Sequence, residues 1–187
     1  MLIVAGPAGS GKSLHFPVSS FGCDGFNVDL HAASENGGSF GSIPRSVRLR
    51  AQKACEAFIL DHIARGESFA VETTLRSGVA IEQARQARSA GFETNMIFVC
   101  AGRPDECVRR VQIRGLSGGH AAPEDEIRDI HDRSLANLLL SLDVFDLIEL
   151  YDNSVRGAAP RFIGEVIAGR LLAKVDPLPN WVPEQLR

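Results

Sequence analysis

The chain has 187 residues, 44% of them apolar, with a formal net charge of -3. That size and composition suit one globular domain with a sizeable core, need no second domain, and give no general pull toward nucleic acid or anionic membrane. The four cysteines, Cys23, Cys55, Cys100 and Cys107, form no CxxC pair and no Cys/His ligand spacing, which argues against a zinc site and a disulfide framework and for reduced thiols in a cytoplasmic protein. The amino-terminal strand and loop leave no room for a signal peptide, and no apolar run approaches the ~18 residues of a membrane span.

The first element is the apolar run Leu2-Ile3-Val4-Ala5, a buried strand. It leads into Gly6-Pro7-Ala8-Gly9-Ser10-Gly11-Lys12-Ser13, which fits G-x-x-x-x-G-K-[ST]. A strand that ends in a glycine-rich turn and then opens a helix aims several backbone N–H groups at one point, where a phosphate chain can be cradled. Lys12 reaches the β- and γ-phosphates in such a loop, and the Ser13 hydroxyl meets a Mg²⁺ ion that bridges them.

The helix that follows is cut short by Pro17, and Phe26-Asn27-Val28-Asp29 is expected as a short strand ending in a carboxylate. In an open α/β sheet, ligands sit at the carboxyl ends of strands, so Asp29 is expected on the rim that carries the phosphate loop; a plain helix-cap or turn aspartate explains the residue equally well. Residues 32–43 are rich in Gly and Ser and poor in core residues, which predicts a mobile loop beside an acceptor pocket. From Pro44 to Arg65 apolar residues recur with helical period, leaving Arg45, Arg48, Arg50 and Lys53 off the stripe. Cations in a first turn oppose the helix dipole; they either face a bound anion or form a solvated basic face.

Ser68–Val71 is expected as a third strand running into Glu72-Thr73-Thr74-Leu75-Arg76, residues 78–90 as a helix closed by Gly91, and Thr94–Cys100 as a strand buried on both faces. Pro104 starts a helix carrying Arg109, Arg110 and Arg114, and Pro123 with Glu124, Asp125 and Glu126 opens another that reaches about Leu142. This hairpin, about residues 103–142, has the form of a lid. Val144–Tyr151 is expected as a fifth strand, Pro160–Leu172 as a last helix, and the proline-rich segment 174–187 around Trp181 as an extended tail on the surface of a domain spanning 1–173. Strands alternating with helices predict an α/β fold with a five-stranded, mostly parallel sheet flanked by helices.

These motifs together resemble the zeta-toxin-like P-loop kinases. The resemblance spans roughly residues 1–155 and rests on Gly6 to Ser13, Asn27-Val28-Asp29, Glu72-Thr73-Thr74-Leu75-Arg76, Gly118-Gly119-His120 with Pro123 and Arg133-Ser134, and Tyr151-Asp152-Asn153-Ser154. It implies a P-loop NTPase fold with a helical lid, and transfer of the ATP γ-phosphate to a hydroxyl of a small acceptor, with UDP-N-acetylglucosamine the acceptor of the zeta toxins. It further implies ATP and Mg²⁺ as cofactors and an antitoxin protein as a partner. Gly6, Pro7, Ala8, Gly9, Ser10, Gly11, Lys12 and Ser13 with Arg110, His120 and Asn153 would hold the nucleotide, and Ser13 and Glu72 the metal. Asp29 would accept the proton of the attacking hydroxyl, with Lys12, Arg114 and Arg128 neutralising the transferred group. Glu72, Thr74, Arg76, Arg45 and Arg48 would meet the acceptor. One departure stands out: the segment between Arg114 and Pro123 looks shortened, and His120 stands where toxin relatives carry a lid arginine.

Two other functions fit parts of the chain. A nucleotide-driven switch or ATPase is disfavoured by the missing Asn-Lys-x-Asp element and by the lack of an apolar strand ending in an Asp-Glu pair. A kinase acting on nucleic acid or tRNA could use Arg45, Arg48, Arg50 and Lys53 on phosphates, but one Trp and one Tyr offer few stacking platforms.

Overall fold

A computed structural model describes residues 1–119 and 121–187. Its centre is a seven-stranded sheet in the order β2-β3-β1-β4-β5-β6-β7. The strands are β1 (Leu2–Ala5), β2 (Asp24–Asn27), β3 (Phe69–Thr73), β4 (Asn95–Cys100), β5 (Leu147–Asp152), β6 (Arg161–Ile167) and β7 (Arg170–Ala173). The helices are α1 (Lys12–His15), α2 (Val28–Glu35), α3 (Arg45–Arg65), α4 (Val79–Ser89), α5 (Pro104–Leu116) and α6 (Glu124–Ser141).

The strands from β2 to β5 are parallel, and β6 and β7 add an antiparallel edge beside β5. β1 is the middle one of the five parallel strands, with Ile3, Val4 and Ala5 fully buried between β3 and β4. The chain leaves β1 to build β2 and β3 on one side and then crosses to build β4 and β5 on the other. Such a reversal opens a crevice at the carboxyl end of the strand where it occurs. The Gly6–Ser13 loop lies there, between β1 and α1.

The main core packs Ile3, Phe69, Met96, Phe98, Ile148 and Leu150 against Ile81, Ala84, Leu138 and Phe145. A smaller cluster joins α5 and α6 through Cys107, Val108, Val111 and Ile127, with Ala8 of the glycine-rich loop packed against it. The helical hairpin is therefore seated on the loop it was expected to cover. Among the described residues no helix is long and apolar enough to cross a membrane.

Three expectations are corrected. The sheet has seven strands, because Pro160–Leu172 forms the β6–β7 hairpin and no helix. Arg161-Phe162-Ile163-Gly164-Glu165-Val166-Ile167 is β-branched and aromatic, as strands favour, and Ala168 and Gly169 both take positive φ in a two-residue connection, the geometry that joins twisted hairpin strands. Residues 32–43 are only partly loop: Ala32 and Ala33 are buried in α2, and the Asn36 side chain donates to Ser39 O at 2.9 Å and Gly41 O at 3.1 Å.

The third correction is Trp181. It is 7% exposed, donates from Nε1 to Asp152 Oδ1 at 3.0 Å, and packs on Phe98 with ring centroids 6.0 Å apart. Val182 and Leu186 join the same core. Prolines made the segment read as a surface tail, but their fixed φ serves here to carry an aromatic anchor back to the sheet. Trp181→Ala should therefore lower unfolding free energy by about 3–5 kcal/mol, checked by urea titration, whereas a surface tail would give a change within about 0.5 kcal/mol.

Candidate functional site

The glycine-rich loop is shaped by contacts that leave no space for side chains. A Cβ on Gly6 would lie 2.1 Å from Val99 O, and one on Gly9 would lie 2.6 Å from Cys107 O, both at positive φ. The loop is pressed onto β4 below and α5 beside it. Asn153, just after β5, donates from Nδ2 to Ser10 O at 2.7 Å, which fixes the loop from a third side. Lys12 arrives 7% exposed, its Nζ 3.7 Å from Glu72 Oε1. Ser13 Oγ donates to the same carboxylate oxygen at 2.7 Å.

Glu72 Oε2 is buried and has no hydrogen-bond partner among the described residues. A hydroxyl and a carboxylate with an idle oxygen are hard donors that suit Mg²⁺, which takes one or two protein oxygens and completes its shell with phosphate and water. Among the described residues no group of three or more His, Cys, Asp or Glu could hold a metal by itself, so Ser13 and Glu72 fit a Mg²⁺ ion delivered with a nucleotide and no dedicated protein cage.

Two cavities meet at Lys12 and Ser13. One, about 940 Å³, lies toward α5 and β5 and is lined by Leu14, Ile113 and Val155 together with Arg109, Arg110 and Arg156. The other, about 250 Å³, is lined by Asp29, Arg48, Glu72, Thr74, Arg76 and Glu126. Gly9, Lys12, Ser13 and Arg114 line both.

Beside the larger cavity, Glu106 gathers three of the arginines that line it. It accepts from Arg109 Nη2 at 2.6 Å, Arg110 Nε at 2.7 Å and Arg156 Nη2 at 3.2 Å. Arg109 first, then Arg156 and Arg110, hold its carboxyl well below the usual carboxylate range. Arg110 also donates from Nη2 to Asn153 O at 2.8 Å, which links this cluster to the loop. Cys107, directly under Gly9, is buried, and that burial pushes its thiol up to about 11, so no thiolate nucleophile stands at the site.

The predicted site residues divide by position. Asp29, Glu72, Thr74, Arg76, Arg48 and Arg114 come together on the smaller cavity, while Arg110 and Asn153 lie on the larger one. Asp29 does not end a strand: β2 stops at Asn27, whose Oδ1 accepts from Leu30 N at 3.0 Å as the helix cap, and Asp29 stands in the first turn of α2. Its carboxylate pairs with no side chain among the described residues.

Arg128 is not brought to the site. It donates to Asp105 Oδ1 at 2.6 Å and Glu124 Oε1 at 2.8 Å, tying the start of α6 to the start of α5, and it lines neither cavity. The Glu124 partner, four residues earlier on the same helix, is the usual helix pairing. Arg45 is exposed and lines neither cavity. His120 lies outside the described residues.

Sequence reasoning missed Glu106, Arg156 and Asn137, and it gave Ser134 no site role although Arg133-Ser134 is one of the motifs behind the resemblance. The Glu106 pairing with Arg109 and Arg110 was legible, since carboxylate and guanidinium stand three and four positions apart on one helix. Arg156 reaches the larger cavity, and Ser134 and Asn137 reach the loop after β3, only through the tertiary fold.

Sequence comparison gives no match to a protein-family model and none to a curated protein. Solved structures do share the fold. A chain of the AvrRxo1-ORF1:AvrRxo1-ORF2 complex with ATP matches with TM-score 0.67 and 16% identity over 93% of this chain; this chain spans 60% of that one. A chain from the PezAT chromosomal toxin-antitoxin system of Streptococcus pneumoniae matches with TM-score 0.59 and 16% identity over 88% of this chain and 71% of that one. A provisionally assigned kinase from Chloroflexus aurantiacus matches with TM-score 0.54 and 18% identity over 71% of this chain and 78% of that one. The chain thus shares its fold with these three structures, an α/β fold with a mostly parallel sheet as the ordered motifs implied.

The Glu106 cluster carries a pH prediction. A folded-state carboxyl held below its unfolded value contributes stability that is fully present above the unfolded value of about 4.3 and is lost as pH falls toward the folded one. Glu106→Gln should be less stable than the wild type at pH 7, and the gap should narrow steadily below about pH 4.3. Thermal unfolding of both proteins from pH 7 to pH 3 checks this; parallel curves would mean that the arginines do not depress Glu106.

Proposed function

We propose that this protein is an ATP-dependent phosphotransferase that moves the γ-phosphate to a hydroxyl group of a small acceptor, best matched by a UDP-activated sugar such as UDP-N-acetylglucosamine. The observation that carries the reading is the pair of cavities that meet at Lys12 and Ser13. A switch needs one cavity for its nucleotide; a transferase needs a second, on the far side of the γ-phosphate.

The larger cavity suits the nucleoside and its phosphates, with Leu14, Ile113 and Val155 as apolar walls and Arg110 and Arg114 as cations. Backbone N–H groups of the loop and Lys12 bind the phosphates. Mg²⁺, held by Ser13 and Glu72, would offset phosphate charge when bound. Arg48, Arg76 and Arg114 on the smaller cavity suit an acceptor that itself carries phosphate, and Asp29, Glu72 and Thr74 supply groups for sugar hydroxyls. A UDP-sugar has both features.

In the transfer, Asp29 takes the proton of the acceptor hydroxyl as that oxygen bonds the γ-phosphorus, and the bond from the γ-phosphorus to the β–γ bridging oxygen breaks, leaving ADP. Lys12 and Arg114, which line both cavities, neutralise the group in transit. The ATP-bound AvrRxo1-ORF1:AvrRxo1-ORF2 neighbour supports ATP as the donor, and the toxin-antitoxin description of the PezAT neighbour supports an antitoxin-type protein partner.

The direct test is ATP consumption screened over UDP-sugars, nucleosides and simple sugars, with product mass as readout. A product heavier by one phosphoryl group identifies the acceptor; turnover indifferent to every acceptor overturns the transferase reading in favour of an ATPase. Lys12→Ala should abolish transfer in a protein that still folds. Asp29→Asn should leave the ATP Kd within a few-fold but lower kcat by at least about 10², the lower end of general-base effects. Parallel loss of ATP binding and transfer would instead make Asp29 a metal or structural ligand and Glu72 the better base.

A further inference from the structure

We infer that Ser134 and Asn137, on α6, are positioning residues that set the acceptor-side loop Glu72-Thr73-Thr74-Leu75-Arg76; this rests on the phosphotransferase reading above. The loop turns sharply where β3 ends. Leu75 has a φ of 55°, a left-handed conformation that a bulky residue holds only when its surroundings impose it, and its side chain is fully buried. Thr73 Oγ1 accepts from Leu75 N at 3.1 Å and holds the bend from inside.

Two carbonyls leave the strand ladder at this bend, and α6 receives both. Ser134 Oγ donates to Thr74 O, and Asn137 Nδ2 donates to Leu75 O at 2.8 Å. Residues three apart share a helix face, so one face of α6 grips two consecutive peptide groups. Ser and Asn are poor helix-interior residues because they compete for nearby backbone. Ser134 is nonetheless fully buried, and its hydroxyl is spent on a carbonyl outside its own helix. Nearer the start of α6, Glu126 meets Arg76 Nη1 at 3.4 Å.

Glu72 and Arg76 flank the clamped peptides, and both side chains line the smaller cavity, whereas Ser134 and Asn137 do not line it. The two α6 residues thus act through the loop: they fix the direction from which the Glu72 carboxylate and the Arg76 guanidinium enter the cavity.

The experiment uses the full chain with Asn137→Ala, Ser134→Ala and Ser134→Thr. Amide hydrogen exchange at residues 74–77 is measured alongside the ATP Kd and steady-state kinetics with UDP-N-acetylglucosamine and any acceptor found in the screen. In Asn137→Ala and Ser134→Ala, exchange at 74–77 should rise by about tenfold or more while β1 and β4 stay protected. The ATP Kd should stay within about twofold, and kcat/KM for the acceptor should fall by about 10- to 100-fold. Ser134→Thr, which keeps the hydroxyl, should restore most of each. Asn137 is only half-buried, so its variant decides the matter if Ser134→Ala does not fold. Wild-type exchange at 74–77 in the folded variants overturns the clamp. Raised exchange with unchanged acceptor kinetics overturns the positioning role. Raised exchange in a protein for which no acceptor exists leaves α6 holding the loop and refutes the phosphotransferase reading instead.

Discussion

The rest of the structure depends on backbone meeting backbone under the glycine-rich loop. Gly6 approaches Val99 O and Gly9 approaches Cys107 O so closely that a methyl group at either position would have to displace peptide atoms. Those atoms belong to β4 and α5, and neither can yield without disturbing the central sheet or the small core of Cys107, Val111 and Ile127. The loop is therefore held low at the end of β1, and Lys12 leaves it already directed toward Glu72. A looser loop would keep the same residues and lose their convergence, since a shift of about 1 Å at such a site is enough to cost orders of magnitude in rate.

Two carboxylates then balance the cations that this packing concentrates. Glu72 holds Lys12 and Ser13 on one side, and Glu106 holds Arg109, Arg110 and Arg156 on the other. In each case the acid occupies groups that would engage a phosphate chain on the phosphotransferase reading proposed above. The arrangement keeps a crowded set of cations from repelling one another before a ligand arrives, and it makes any incoming phosphate compete with a carboxylate already in place. The direction of each cation is set in advance.

What could be read in the sequence was whatever depends on local spacing. The phosphate loop follows from eight consecutive residues, the parallel strands from apolar runs between helices, and the α5–α6 hairpin from Pro104 and Pro123 with acids after each. Asp29 was placed on the correct rim but on the wrong element, because Val28-Asp29 suits a strand end and a helix start alike and only the Asn27 cap decides between them. The β6–β7 hairpin was lost because its turn uses Ala168-Gly169, a weaker signal than Asn-Gly or Asp-Gly. Trp181 and the α6 clamp could not be read locally at all: the indole meets Asp152 across 29 residues and Ser134 meets Thr74 across 60, and nothing in either neighbourhood names its partner.

The same long-range contacts bear on how water could be kept from the site. The α5–α6 hairpin looks in sequence like a cover free to swing, yet α5 is packed against Ala8 through the small core and α6 is bonded to the loop after β3. Swinging the whole hairpin would break both attachments and unsettle the residues it was meant to enclose. Closure over a bound phosphate is cheaper if made by side chains that pivot on fixed stems. Arg110 and Arg114 stand one turn apart on α5 above the larger cavity, and Arg48 and Arg76 enter the smaller one from α3 and the β3 loop. Long guanidinium groups can move several ångströms by rotamer change alone, on a far faster timescale than a domain hinge. The fold thus separates two tasks, with backbone contacts holding the glycine-rich loop in place and ion pairs such as Glu106 with Arg110 and Glu126 with Arg76 holding cations that line the cavities.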